Sequence, residues 1–252
     1  MTPATIVVPC FNEADRLDQA AFLDFARRPG VSLLFVDDGS SDATADVIAK
    51  LSAGAESIDF LVLPHNQGKG EAVRQGMRRA LDAGARAVGY FDADMSTPVE
   101  ECTRLMDELD DPALEVILGA RIAMLGTRIE RQALRHYVSR VFATGASMVL
   151  QCAVYDTQCG AKVFRRSPVL DAALETPFSS RWAFDVELIG RLMIGAPGVP
   201  GLPIQAIKEV PLLRWTHVGG SKLRPLAMFK AAAELGRIAW ALEEAKKRAR
   251  GS

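Results

Sequence analysis

Asp92 and Asp94 stand two residues apart in YFDADMSTP (Tyr90–Pro98), where an apolar run ends. Residues i and i+2 of an extended chain face the same way, so both carboxylates can point to one side. Such a pair of hard oxygen donors is what Mg²⁺ or Mn²⁺ uses when it also bridges to a diphosphate. A cation held there would neutralise charge on a departing phosphate group. An Asp-x-Asp pair is also a common turn, so its neighbours must decide between the readings.

Three more polar strand ends keep it company. IVVPCFNE (Ile6–Glu13) leaves an apolar run with Pro9, the ring of Phe11 and the carboxylate of Glu13. A ring can pack on a flat base, and a carboxylate can accept its N–H groups; a plain turn explains the segment equally well. LLFVDDGSSDAT (Leu33–Thr44) crowds Asp37 and Asp38 at one strand end, where like charges repel unless a donor or cation visits. A nucleobase N–H is one such donor. NQGKG (Asn66–Gly70) opens a helix with glycines and Lys69, a combination that attracts phosphate. It lacks the spacing of a P-loop, and a solvated surface lysine remains the alternative.

The elements that must position these residues alternate. Thr5–Val8, Leu33–Val36, Phe60–Leu63, Ala87–Phe91 and Val116–Leu118 read as buried strands. Asp15–Arg27, Asp42–Leu51, Gly70–Ala83 and Pro98–Leu109 read as helices between them, with Asp42 and Thr97 at N-cap positions. The pattern predicts an α/β fold with a mainly parallel sheet flanked by helices, and ligands in such folds bind beyond the carboxyl ends of the strands. After Gly119 the alternation stops. Thr127–Leu150, Pro168–Leu174 and Phe184–Met193 read as helices, and Ala161–Arg165 and Glu209–Trp215 as strands. A final amphipathic helix, Pro225–Arg250, places Met228, Ala232, Leu235, Ile238 and Leu242 on one face and ends in a basic run. The expected organisation is a catalytic domain over 1–222, with a nucleotide-binding half (1–119) and an acceptor half (120–222), followed by the helix 223–252.

Composition sets the outer limits. The chain has 252 residues, is 49% hydrophobic and carries a formal net charge of −1, which argues against a nucleic-acid partner held by a broad basic field. Cys10, Cys102, Cys152 and Cys159 have no metal-ligand spacing and read as buried free thiols. Neither a secretory signal nor an apolar run of about 20 residues is visible. The expectation is a cytoplasmic protein whose contact with the membrane surface, if any, is peripheral.

Taken together, these segments resemble glycosyltransferase family 2, whose catalytic domain has the GT-A fold, from Ile6 to about Lys222. The nearer likeness is to the dolichyl-phosphate β-glucosyltransferase and polyprenyl-phosphate mannose synthase group. It is carried by VDDGSSDAT, NQGKG, FDADMSTP, ILGAR (Ile117–Arg121), DTQCGAK (Asp156–Lys162), RWAFDVEL (Arg181–Leu188) and RWTHVGGSK (Arg214–Lys222). The resemblance implies a nucleotide-sugar donor held by Pro9, Phe11, Glu13, Asp37, Asp38, Lys69, Asp92, Ala93 and Asp94. It also implies Mg²⁺ or Mn²⁺ on Asp92 and Asp94, and inversion at the anomeric carbon. Two departures matter. Ser96 stands where mannose synthases tend to place Gln, which favours UDP-glucose over GDP-mannose, and Ala161 stands where relatives usually have Phe.

The acceptor follows from proton bookkeeping. A sugar hydroxyl needs a base, and Asp185 or Glu187 would be the candidates; Asp185 can equally cap its helix or pair with Arg181. A lipid monophosphate is already ionised at neutral pH and needs cations instead. Arg128, Arg131 and Arg135 recur at helical spacing, Arg121 precedes them, and Arg214 and Lys222 come from the late loop. With the family likeness, this basic set favours a polyprenyl-phosphate acceptor, with Asp94, Arg121, Arg135 and Asp185 as the catalytic candidates. Arg121, Arg131, Arg135 and Lys222 would hold the acceptor. The competing readings are another nucleotide sugar, a soluble hydroxyl acceptor, or a nucleotide-sugar-binding module without turnover. Trp182 and Phe184 read as core by default, with the wall of the sugar pocket as the alternative.

Overall fold

The computed structural model describes residues 2–130, 133–216 and 226–250, with backbone alone for 133–138, 226–231 and 250. Runs rich in Val, Ile, Leu and Phe form the strands β1 (Ala4–Cys10), β2 (Val31–Asp37), β3 (Ile58–Val62), β4 (Ala87–Phe91) and β5 (Val116–Ala120). The helices α1 (Gln19–Ala26), α2 (Thr44–Ala53), α3 (Lys69–Asp82) and α4 (Val99–Asp107) lie between them in the chain. The second half supplies β6 (Arg128–Ile129), α5 (Ala133–Leu150), β7 (Ala161–Arg165), α6 (Pro168–Glu175) and α7 (Phe184–Ile194). It ends with β8 (Gly195–Ala196), β9 (Val199–Pro200), β10 (Ile207–Pro211), β11 (Arg214–Trp215) and α8 (Leu226–Arg250).

One seven-stranded sheet runs through both halves in the order β10-β5-β7-β4-β1-β2-β3. β1 pairs in parallel with β2 and β4, β2 with β3, and β10 with β5. Only β7 runs antiparallel, wedged between β4 and β5. Six carboxyl ends therefore share one edge. Alternation along each strand builds two apolar layers: Ile6, Val8, Leu33 and Phe35 face Phe22 and Phe25, while Val7, Leu34, Val36 and Tyr90 face Met77 and Phe184. Burial on both faces explains why these strands read as continuous apolar runs.

Several sequence expectations are corrected. The first helix begins at Gln19 because Asp18 caps it through Ala21 N–H (3.0 Å). Asp42 lies one residue before the cap position Ala43 and accepts Thr44 N–H instead; Thr97 is displaced from the next cap by Pro98. The helix expected over Thr127–Leu150 is described over Ala133–Leu150, and Arg128–Ile129 is a strand instead. Gly126, at φ 89°, turns the chain, and Arg128–Ile129 pairs with Arg214–Trp215. The strand expected over Glu209–Trp215 accordingly splits after Pro211 into β10 and β11. Cys152 is half-buried, whereas Cys10, Cys102 and Cys159 are buried free thiols.

The apolar face of α8 is used inside the fold. Ile238 and Leu242 are buried and Leu235 is partly so, while Ala232 is exposed. A Cβ on Gly190 of α7 would collide with Leu242, and one on Gly145 of α5 would meet Leu235 at 2.8 Å. Glycine thus sets how closely α8 can approach both helices. Among the described residues, no helix is long and apolar enough to cross a membrane.

Candidate active site

The carboxyl edge of the sheet gathers the polar strand ends. Asp37 accepts Ser40 N–H (3.1 Å) and the Ser40 hydroxyl. Asp38 accepts Gln67 N–H (2.7 Å) and Gly68 N–H (2.8 Å), one on each carboxylate oxygen. The crowding of these two carboxylates therefore finds its donors within the chain, and Asp38 ties the NQGKG segment to the end of β2. Gly68, at φ 98°, leaves the Arg181 side chain no room for a Cβ, which would meet it at 2.7 Å. The first residue of α3 is then Lys69, whose Nζ lies 2.5 Å from Asp92 Oδ1. Burial pulls the Lys69 ammonium down, but Asp92, Asp185 and Asp94 outweigh it, so its pKa is raised and the charge is kept.

Asp92 follows β4 directly and donates its N–H to Gly160 O (2.9 Å). A Cβ on Gly160 would land inside the Asp92 carboxylate. Asp94 accepts Ser96 N–H at Oδ1 (3.0 Å), and its Oδ2 lies 3.7 Å from Arg16. Arg16 also sits 3.3 Å from Glu13 Oε2, a buried oxygen without a hydrogen-bond donor among the described residues. Burial pushes the Glu13 carboxyl up; Arg16 opposes this, and Asp94, Asp92 and Asp42 add to it. Glu13 N–H donates to Thr44 Oγ1 (2.8 Å), fixing the end of β1 to α2. Pro9 is half-buried, Ala93 is buried, and the Phe11 ring is exposed beside them. The donor residues read from the sequence, Pro9 to Asp94, thus share one edge.

The second half brings a cation to that edge. Arg121 leaves β5 and binds Asp156 through Nε (2.7 Å) and Nη2 (2.8 Å), with its guanidinium 5.3 Å from the Trp215 ring centre. Glu209 in turn accepts the N–H groups of Tyr155 and Asp156 (both 2.8 Å). Burial pulls Arg121 down, but Asp156, then Cys159 and Asp92, outweigh it; its charge is permanent. The other expected cations do not form one helical stripe. Arg128 is exposed on β6, and Arg214 pairs with Glu100 at 3.1 Å. Arg131, His217 and Lys222 lie outside the described residues, as does the side chain of Arg135.

Asp185, a candidate base for a hydroxyl acceptor, is engaged on the inner side of α7. It accepts Lys162 Nζ (2.7 Å) and the Tyr90 hydroxyl, and Lys162 also donates to Cys159 O (2.5 Å). Burial, then Asp185, pushes the Tyr90 phenol far up, keeping it a donor. Arg181 bonds Asn66 O (3.1 Å), so it does not supply the ion pair expected for Asp185. Glu187 is fully buried between Ser179 and Arg191 and is structural. Sequence reasoning assigned no role to Asp156, Gly160 or Lys162, although all three lie in DTQCGAK. A lysine inside the apolar strand AKVF was the available signal, since a buried charge requires a partner.

Ser96, Ala161 and Gly119 show how closely this edge is packed. Ser96 is buried and its carbonyl accepts Thr216 N–H (3.0 Å), joining the turn after β4 to β11. Ala161 is fully buried, and a Cβ on Gly119 would meet its carbonyl at 3.0 Å.

The model of the family described as Glycosyl transferase family 2 matches residues 5–171, the span that holds Glu13, Asp38, Lys69, Asp92, Asp94, Arg121 and Asp156. The chain belongs to glycosyl transferase family 2. It is 33% identical to the dolichyl-phosphate beta-glucosyltransferase of Drosophila melanogaster over 243 residues, covering 88% of this chain and 69% of that one. It is 27% identical to the polyprenol monophosphomannose synthase of Mycolicibacterium smegmatis over 247 residues, covering 98% and 89%. Among solved structures it resembles glucosyl-3-phosphoglycerate synthase from Mycobacterium tuberculosis, solved in complex with Mn²⁺, UDP and glucosyl-3-phosphoglycerate. That match has a TM-score of 0.65 at 18% identity and covers 94% of this chain and 80% of that one. The family 2 sheet edge is thus the expected GT-A arrangement, and the protein is a glycosyltransferase.

Proposed function

We propose that this glycosyltransferase moves glucose from UDP-glucose to a polyprenyl phosphate of the dolichyl type, with inversion. The observation that carries the acceptor is the contrast between Asp185 and Arg121. Asp185 Oδ1 is already engaged by Lys162 and Tyr90 on the inner side of α7. Arg121 is a held cation at the carboxyl edge, suited to an ionised phosphate that needs no base. The names of the Drosophila and Mycolicibacterium relatives point the same way. Ser96 in place of Gln supports uracil over guanine in the donor.

The donor half supports a divalent cation as well. Among the described residues no three acidic, His or Cys side chains converge on one point. Two carboxylates suffice for Mg²⁺ or Mn²⁺, which takes its remaining oxygens from water and substrate phosphate. Asp92 and Asp94 would hold the cation, which when bound would supply Lewis-acid neutralisation of the leaving diphosphate. Lys69 adds a positive charge on the same side, Phe11 and Pro9 offer a face to the base, and Glu13 accepts from the nucleoside. We further propose 1–222 as the catalytic domain, divided at 119/120 into donor and acceptor halves, and 223–252 as a C-terminal segment, containing α8, that works at the cytoplasmic membrane surface.

Thermal-shift screening of UDP- and GDP-sugars with and without Mn²⁺, followed by transfer assays with polyprenyl phosphate, tests the reading. UDP-glucose should stabilise most and be consumed only with the lipid phosphate. Tighter GDP binding would move the donor to mannose. Transfer to soluble hydroxyls that is abolished in Asp185→Asn would reinstate the carboxylate base.

A further inference from the structure

Trp182 was expected in the core, yet 53% of its surface is exposed. Its position is nevertheless fixed on both sides. Ser180 Oγ accepts Trp182 N–H (3.3 Å) and Ala183 N–H (2.7 Å), forming a tight turn at the start of α7. The preceding Arg181 bonds Asn66 and accepts Gly70 N–H at its carbonyl (3.2 Å). The following Phe184 is fully buried, so close to Gly70 that a Cβ there would meet it at 2.8 Å. Both neighbours are thus locked onto the segment that carries Lys69, whose ammonium holds Asp92. The indole itself meets the Phe142 ring of α5 at 5.4 Å and 66°, an edge contact.

A large ring held this rigidly and left this open loses little conformational entropy when something packs on it. Its partner in the second half, Phe142, is apolar. A hydrocarbon chain gains from an exposed indole face backed by a second aromatic ring, because each covers apolar surface of the other. We propose that Trp182 is a specificity-determining residue: the ring on which the first isoprenoid segment of the acceptor packs while the phosphate head meets the cations of the carboxyl edge. This rests on the lipid-phosphate reading above.

The test separates the two. Steady-state kinetics of wild type, Trp182→Ala and Trp182→Phe are measured with polyprenyl phosphate and with UDP-glucose. Losing the ring should raise the acceptor KM by about tenfold, the effect of uncovering roughly 50 Å² of apolar contact, with the UDP-glucose KM unchanged and Trp182→Phe close to wild type. Tryptophan emission should shift to the blue when geranyl phosphate is added to wild type, not when ethyl phosphate is added. The geranyl-induced shift should be lost in Trp182→Phe, a readout that does not depend on how well the alanine variant folds. An unchanged acceptor KM in Trp182→Ala together with an emission shift that persists in Trp182→Phe overturns the inference while leaving the lipid-phosphate reading intact. A rise in the UDP-glucose KM alone also overturns it, and would place the donor sugar on the ring. A wild type that ignores polyprenyl phosphate but glucosylates a hydroxyl acceptor removes the reading itself, and the inference with it.

Discussion

At the scale of single residues, the site depends on a few oxygens with little freedom to move. Asp94→Asn keeps the side-chain volume and weakens one proposed cation ligand; even losses around a metal's ligands cost 10–100-fold, so transfer should fall by about 100-fold or more with thermal stability unchanged. Full activity in that variant, or in excess EDTA, removes the proposed metal role. Gly160→Ala is a subtler probe, because its Cβ would occupy the place of the Asp92 carboxylate. Overpacking of this kind costs about 1–3 kcal/mol, and calorimetry should show UDP affinity in Mn²⁺ falling while metal-free UDP binding changes little. Equal losses with and without Mn²⁺ would show that Asp92 is not what the methyl displaces. Glu13 supplies a pH signature. Burial raises its folded pKa above the unfolded value, so its contribution to stability is complete below the unfolded pKa and is lost as pH rises through the folded one. Glu13→Gln should therefore raise the melting temperature at pH 7 relative to wild type, and the gain should vanish near pH 4, with both measured free of divalent cations. A gap that stays constant across that range refutes the assignment.

At the scale of elements, the sequence made the parallel strands legible because burial on both faces leaves an unbroken apolar run. The apolar run Ala87–Phe91 matches β4 to the residue, and the polar DADMST that follows marks where that strand ends. The short pair β6–β11 was not legible, since its four residues pair across 86 positions of chain and no local pattern announces such a contact. Arg128 was therefore assigned to a helix by spacing alone. Lys162 shows a different limit. Its partner Asp185 lies 23 residues on in another element, and a sequence gives the charge but not its mate. This buried pair joins β7 to α7 directly behind the carboxylate edge. Removing one member leaves an uncompensated charge, which costs about 3–5 kcal/mol. Lys162→Met should lower the urea midpoint accordingly, and the double variant Lys162→Met/Asp185→Leu should recover much of the loss. If the double variant is as unstable as the sum of the two single ones, the pair is not coupled.

At the scale of the whole molecule, α8 decides how the proposed catalyst meets a lipid acceptor. Ile238 and Leu242 of its apolar face fill the space beside α7 and α5, so these two residues are unavailable to lipid while the protein is folded. The end of the helix remains. It carries Lys246, Lys247, Arg248 and Arg250 against Glu243 and Glu244, and ion pairs at 2.8 and 2.7 Å join Lys246 to Glu243 and Lys247 to Glu244. The surplus of basic groups is therefore small, and its attraction to an anionic surface should be correspondingly modest. At about 1 kcal/mol for each unmatched basic residue, the segment contributes about 2 kcal/mol, a roughly 30-fold change in partitioning. Truncation after Leu242 keeps the packed residues and removes only this charge. Sedimentation with phosphatidylserine-containing liposomes should show binding reduced by that order, while UDP affinity and melting temperature stay near wild type. Because exposed charges are screened within about 10 Å at 0.1 M salt, binding of the full chain should also fall steeply between low and moderate salt, and that of the truncated chain should not. Equal liposome binding by both chains, with the same salt dependence, would mean that the basic end is an ordinary solvated helix terminus and that lipid is met elsewhere on the protein.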